Sequence, residues 1–452
     1  MTSGTDHSVI VVGGGLAGLA CAVRLAEAGQ RVTLLEATKA GGGRTRSFHD
    51  RSFDRELDNG QHLMMGCYRE TLAFLRALGS EDGVTFQRNL EVEMARPGGR
   101  RIRLRCPALP APFHLAAGLL NMRGLGPLHK AAALRAGLML RGEVRRPDDT
   151  ETCDAWLRRM GQTTALRQAF WEPLIWAVLN DDPLICSAAM FMAVIDRAFM
   201  GTRDASRLGV PRVPLSRLYV EQAHEYLRAR GATVQLGAPV RALEVGSRGA
   251  AVLTRDGARI TGDAIVSAVP PHALLELLPG AALHDPVFQD IKRLRSSPIV
   301  NLWVELPRSP LRGASMLGLI GSPLHWLFDR TRIEGRERED EAAGAVLINC
   351  TISGARSCVD DSAESLRELF LAEMSRFFPD AAIDIRNFRA IKEKRATISH
   401  AAGTYHWRPE TRGPIAGLYL AGDWVRTGLP ATIESAVQSG HDAARAVLED
   451  RR

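Results

Sequence analysis

A buried strand, a glycine turn, a helix, a second strand and an acid follow one another within residues 8–36, and this order constrains the chain more than any other feature. Val9, Ile10, Val11 and Val12 make an unbroken apolar run of strand length, and Gly13-Gly14-Gly15-Leu16-Ala17-Gly18 follows. Leu19, Val23, Leu25 and Ala28 then continue a helical pattern that stops at Gly29, and residues 32–35 form a second strand leading to Glu36. Such a βαβ unit needs its glycines: Gly13 for the tight turn, Gly15 for close approach of backbone to a pyrophosphate, Gly18 for packing of helix on strand. The helix amino terminus adds unpaired N–H groups and the positive end of a dipole. Glu36 stands where a carboxylate accepts adenosine ribose hydroxyls and disfavours a 2′-phosphate. A glycine turn alone occurs in many α/β proteins; the whole succession sets that plainer reading aside. The next stretch, Gly41-Gly42-Gly43-Arg44-Thr45, favours FAD over NAD, because a flexible loop carries a guanidinium towards a second phosphate or the flavin edge.

At 452 residues the chain exceeds what one core usually serves, and nucleotide-binding pieces recur along it. Residues 264–269 read as a buried strand, and 417–423 as a strand that delivers an acid to its carboxyl end before a helix from Thr432. Between them the pattern predicts helices over 71–78, 152–176 (with Pro173 as a kink or break), 215–230 and 361–377. It also predicts short strands at 233–236, 240–245 and 250–254, and a second, mainly antiparallel sheet using 300–306, 324–328 and 345–351. The expected fold class is α/β: a Rossmann-like FAD-binding domain over 1–66, 215–277 and 412–452, with an interleaved α+β substrate domain over 67–214 and 278–411.

The net charge is +7, yet residues 96–146 alone carry +10, from eleven basic residues and the single acid Glu143. Eleven large apolar residues between Phe113 and Leu140 are interleaved there, a pattern suited to the headgroup region of an anionic bilayer, although a basic stretch by itself is more often a solvated face. Arg123, His129, Lys130 and Arg135 interrupt it, so no run of about 20 apolar residues exists to span a membrane. Nucleic acid fits poorly, since no zinc-finger spacing, recognition-helix motif or stacking platform accompanies the charge. The amino terminus lacks the regions of a secretory signal, and the seven scattered cysteines give neither metal spacing nor a disulfide framework. The expectation is a cytoplasmic protein without a metal, held peripherally at an anionic membrane surface by segment 96–146.

Further anchors are Asp58-Asn59-Gly60-Gln61-His62, Trp171-Glu172-Pro173-Leu174, Asn180, Leu420-Ala421-Gly422-Asp423-Trp424 and the run from Gly428 through Pro430-Ala431-Thr432-Ile433-Glu434 to Ala436. With the glycine turn, Glu36 and Gly42-Gly43-Arg44, they make the chain resemble the flavin amine oxidase and phytoene desaturase superfamily. Within it the chain is similar to the hydroxysqualene dehydroxylases, squalene-associated FAD enzymes of bacterial hopanoid pathways. The resemblance implies that Gly43, Arg44, Gly60 and Gln61 approach the flavin, that Gly422 and Asp423 reach the ribitol or pyrophosphate, and that the turn through Ala431, Thr432 and Ile433 covers the isoalloxazine. For Glu434, surface or capping service stands level with cofactor contact. The implied reaction removes an allylic hydroxyl from hydroxysqualene to give squalene: a general acid helps the C–O bond ionise, and hydride from reduced flavin quenches the cation. His62 and Glu172 are the candidate acids, with turn-orienting and helix-capping as their plainer roles. A large apolar isoprenoid substrate needs an apolar tunnel, for which 113–140, Met190, Phe191, Met192, Phe199 and Met200 are candidates unless they are simply core. The alternatives are a carotenoid-type desaturase, with hydride flowing the other way, and a non-catalytic flavin-fold membrane escort. No motif assigns an electron donor or an oligomeric state.

Overall fold

In the computed structural model, which describes residues 7–139, 146–246 and 249–451, one parallel sheet is built from β1 (Ser8–Val12), β2 (Arg31–Glu36), β3 (Thr233–Leu236), β4 (Ala264–Ser267) and β5 (Leu418–Leu420). Their spatial order is β3-β2-β1-β4-β5. Val9 to Val12 are buried on both faces, which is why β1 is apolar without alternation. Helix α1 (Leu16–Glu27) buries Leu19, Val23 and Leu25 completely and packs against α2 (Ile433–Asp450). That approach depends on Gly440, where a Cβ would stand 2.2 Å from the Ala17 carbonyl oxygen. In sheets of this order the ligand crevice opens at the carboxyl ends where the order reverses, here beside β1.

The second sheet has seven strands, in spatial order Asn387–Ile398, Ser296–Leu306, Val346–Ser353, Trp326–Asp329, Met316–Leu319, Glu91–Ala95 and Arg101–Arg105. All pairs are antiparallel except Met316–Leu319 with Glu91–Ala95. Alternation along Ser296–Leu306 divides its two faces. Val300, Leu302 and Val304 enter a core shared with helix Ala363–Phe377, which buries Leu366, Phe370, Met374 and Phe377 at helical spacing. Asn301 and Trp303 turn the other way, donating at 3.3 Å and 3.2 Å to the carbonyls of Asn59 and Asp58. The second sheet thereby pins the 58–62 loop against the nucleotide-binding side.

The structure corrects several expectations. The helix expected over 152–176 is broken: Cys153–Arg159 gives way at Gly161, whose φ is +69°, and a π-helical turn, Arg167–Trp171, precedes helix Glu172–Leu179. Pro173 has no N–H to continue a regular ladder, and the widened turn before it absorbs the break. Strand Asn387–Ile398 was not expected, because its sequence NFRAIKEKRATI carries the charge of an edge strand, which is its place in the sheet. Residues 101–105 of the basic stretch are also strand. There Arg101 pairs with Glu93 at 2.8 Å, Arg105 with Glu91 at 2.7 Å, and Arg103 with Glu93. Both acids lie just outside the 96–146 window, so that window overstates the local charge. Phe191 meets Trp156 and Trp171 edge-on, and Met192 and Phe199 are buried in the same core, so these tunnel candidates are core residues. Leu140, Arg141, Glu143 and Arg145 lie outside the described residues.

Candidate active site

The glycines after β1 have different reasons to be glycine. At Gly13, with φ +109°, a Cβ would meet the Ala268 carbonyl oxygen at 2.8 Å, and at Gly18 it would stand 1.9 Å from that of Gly13. At Gly15 a Cβ would have nothing within 4 Å. The space is therefore open just where backbone must come up to a pyrophosphate, and the turn fits a dinucleotide. Gly43, with φ +57°, faces Gly15 across a bridge between Gly15 and Gly42. One carboxylate oxygen of Glu36 accepts the Gly14 N–H at 2.7 Å, and the other accepts the Thr38 N–H and hydroxyl at 2.7 Å and 2.8 Å. Glu36 thus fixes the turn, and with about four acceptor sites on a carboxylate it keeps capacity for a ribose hydroxyl.

At the other end of the crevice Arg44 grips Asp423 through two hydrogen bonds of 2.8 Å and 2.7 Å and donates a third, of 2.6 Å, to the Ala396 carbonyl. Burial works against the guanidinium, but Asp423 and then Glu393 outweigh it and hold Arg44 charged. Gly422, with φ +144°, donates its N–H to Ser439 at 2.7 Å. Beyond it, the Ala431 N–H is donated to His400 Nε2 at 2.9 Å, the Thr432 hydroxyl caps α2 by accepting the Ser435 N–H at 3.2 Å, and Ile433 opens that helix. Glu434 is a cap: it accepts the N–H groups of Glu70 and Thr71 at 3.0 Å and 2.9 Å, and the Thr71 hydroxyl at 2.7 Å, at the start of helix Arg69–Leu78.

In the pinned loop, a Cβ on Gly60 would fall 2.2 Å from Asn301 Nδ2, so close packing requires that glycine. The Gln61 side chain is engaged within the protein, its Oε1 accepting from buried Arg330 at 2.9 Å and its Nε2 donating to the His62 carbonyl at 2.8 Å. Burial and then the charge of Arg44 push the His62 imidazole down to about 4, so the ring is neutral at pH 7. Glu172 opens helix Glu172–Leu179; burial raises its carboxyl, and Arg167, 3.6 Å away, opposes that. Trp176, one helical turn further, stacks on His325 with ring centroids 4.8 Å apart. His62 and Glu172 are not brought together: Arg44 and Gln61 border the first, Arg167, Asp154 and Asp182 the second. Asn180, in the left-handed region at φ 52°, donates to the Thr397 hydroxyl at 3.0 Å and the Ser297 carbonyl at 3.3 Å and accepts the Gly354 N–H at 2.8 Å, clamping three segments of the second sheet.

Beside the 429–434 turn lies a cleft of about 360 Å³, counting its open mouth, walled by Met65, Val178, Val194, Leu429 and Pro430, with Cys67, Tyr68, Arg197, Thr432 and Glu434 as its polar members. Sequence reasoning missed Arg330, His400 and Arg408, each a buried polar residue whose neighbours supply no motif.

A family model described as flavin containing amine oxidoreductase matches residues 16–448. The hydroxysqualene dehydroxylase of Rhodopseudomonas palustris is 32% identical, covering 98% of this chain and 99% of its own, and that of Sinorhizobium fredii is 30% identical with the same coverage. A 15-cis-phytoene desaturase of Synechococcus elongatus is 26% identical over 97% of this chain and 95% of its own. Among solved structures, an oxidoreductase from Methanosarcina mazei shares the fold at TM-score 0.75 and 18% identity, over 98% of this chain and 100% of its own. Cyclohexylamine oxidase from Brevibacterium oxydans does so at TM-score 0.71 and 18% identity, over 99% of each chain. The chain belongs to the flavin containing amine oxidoreductase family and is an FAD-dependent oxidoreductase.

Proposed function

We propose that the protein reductively dehydroxylates hydroxysqualene to squalene, as a step of hopanoid biosynthesis. What carries this reading is near full-length similarity to two hydroxysqualene dehydroxylases, at 32% and 30% identity, against 26% for the phytoene desaturase. Bound and reduced, FAD supplies the hydride. Gly13, Gly15, Gly18 and Glu36 would hold its adenosine and pyrophosphate end; Gly43, Arg44, Gly422, Asp423 and the 431–433 turn would hold the rest. The apolar walls of Met65, Val178, Val194, Leu429 and Pro430 bind isoprenoid by removing area from water and keep water from the allylic cation. A protonated carboxyl at Glu172 hands its proton to the departing hydroxyl, which leaves as water, so one C–O bond breaks and one C–H bond forms. Neutral His62 orients the flavin-side loop. Product analysis tests the reading: reduced enzyme given hydroxysqualene should yield squalene, and oxidised enzyme given phytoene should leave it unchanged. Desaturated phytoene without squalene would replace this reading by the desaturase.

We also propose that the protein attaches peripherally to anionic membrane through helices Phe113–Asn121 and Pro127–Met139. Leu119, Met122, Leu125 and Ala133 are buried inward, whereas Phe113, Leu120 and Leu128 are 57%, 46% and 82% exposed beside Arg123 and Lys130. None of the described helices is long and apolar enough to cross a membrane. Binding to sedimented vesicles should rise with anionic lipid and weaken with salt, and Leu128→Glu should reduce it several-fold. Equal binding to neutral and anionic vesicles would remove the electrostatic part, and parental binding by the Leu128→Glu protein would remove the insertion.

A further inference from the structure

Arg408 is 2% exposed, and all three nitrogens of its guanidinium donate to backbone carbonyls of a single loop. Nε donates to Trp424 at 3.3 Å, Nη1 to Leu429 at 2.7 Å, and Nη2 to Asp423 at 2.7 Å and Val425 at 2.6 Å. Among the described residues no carboxylate pairs with it. The carboxylate of Asp423 is taken by Arg44, and Asp149, which lines the same small cleft as Arg408, gives its oxygens to the Ser187 hydroxyl and the Tyr405 N–H. A buried cation without a directly paired carboxylate is costly, even with the charge of Asp423 acting on it from its pair with Arg44, and holding a loop does not require a charge. Burial draws Arg408 down only to about 10, so it is charged throughout the neutral range.

We propose that Arg408 positions the 423–431 loop and supplies the positive charge that favours reduced FAD. The inference rests on the reading that this loop borders the isoalloxazine. Two electrons from a reductant and one proton leave FAD one negative charge richer, and Arg408, a buried charge with no carboxylate hydrogen-bonded to it among the described residues, meets it. Around it stand Tyr405, Asp423, Arg426, Asp149 and His400, and Asp423 links it to Arg44, beside which lie Glu393 and His62. Burial, with Arg44 beside one and Arg408 beside the other, holds His62 and His400 at about 4 and about 3, so neither ring changes charge in the neutral range.

The test is spectroelectrochemical titration of the holoenzyme, with dithionite as reductant. In the parent the midpoint should fall by about 30 mV per pH unit between about pH 6 and 9, the mark of one proton per two electrons; about 60 mV, two protons, would overturn the proposal. Arg408→Gln should weaken binding of reduced FAD about tenfold more than oxidised FAD, lowering the midpoint by about 30 mV, while Arg408→Lys, with charge but no planar fork, should release FAD faster at a near-parental midpoint. A parental midpoint in the Gln protein would overturn the proposal, and if that protein does not fold, the Arg408→Lys protein decides, since a midpoint lowered by about 30 mV with the charge kept would overturn it. Asp423→Asn separates the two layers. If it keeps FAD as the parent does, the loop does not border the flavin and the proposal falls with that reading; if it loses FAD while Arg408→Gln titrates like the parent, the Arg408 proposal fails alone.

Discussion

The Asp423→Asn protein is expected to hold FAD about thirtyfold more weakly than the parent and to melt lower even without cofactor. Asn offers one acceptor where the carboxylate met Arg44 with two, and its amide hydrogens face the guanidinium. Breaking a buried pair costs about 3–5 kcal/mol, but the Arg44 side chain is 39% exposed, so about 2 kcal/mol is the discounted figure. At 1.4 kcal/mol per tenfold, that gives the thirtyfold loss if the pair's geometry serves the cofactor in full. Arg44→Lys should fall between, since it keeps charge without the two-pronged geometry. The checks are the ratio of flavin absorbance to protein after gel filtration and thermal melting with and without added FAD. Parental flavin content in the Asp423→Asn protein would remove Asp423 from the cofactor site.

The parts of this molecule legible in its sequence are those whose cause is local. Val9 to Val12, the glycines at 13, 15 and 18 and the acid at 36 sit within one supersecondary unit, and spacing alone states their geometry. Asp423 was legible for the same reason, as an acid at the end of a short apolar strand. Arg330 and Gln61 are 269 positions apart and become partners only when the second sheet is laid against the 58–62 loop. The basic stretch misled because charge was summed along the chain, whereas a strand meets its counter-charges across the ladder, as Arg101 and Arg105 meet Glu93 and Glu91. Glu434 shows the same limit in reverse. It opens a helix, where its own first turn is the obvious client, yet its carboxylate caps a different helix, Arg69–Leu78.

Glu172→Gln should slow reoxidation of the reduced enzyme by hydroxysqualene by roughly 10² to 10⁴, the range a general acid contributes, and spare FAD binding and chemical reduction of the flavin. Glu172 and His62 entered as equal candidates for the acid, and the electrostatics separate them. A ring held neutral by burial and by Arg44 has no readily given proton at pH 7, so His62→Gln should cost less than about tenfold. The Glu172 carboxyl is displaced upwards by burial, which keeps its protonated form to higher pH, although Arg167 opposes the shift. The sign follows: the protonated carboxyl is the active form, so the parental rate should be full below its pKa and fall as pH rises through it. The Gln protein should lack that fall. An analogue whose leaving group departs without a proton should recover part of the Glu172→Gln loss, because the step then no longer needs the acid. Anaerobic stopped-flow reoxidation, paired with detection of squalene, measures all three. Rates within about threefold of the parent for both variants would sink the assignment. A loss confined to His62→Gln would move the proton to the flavin-side loop and leave Glu172 as the partner of Arg167 at a helix start.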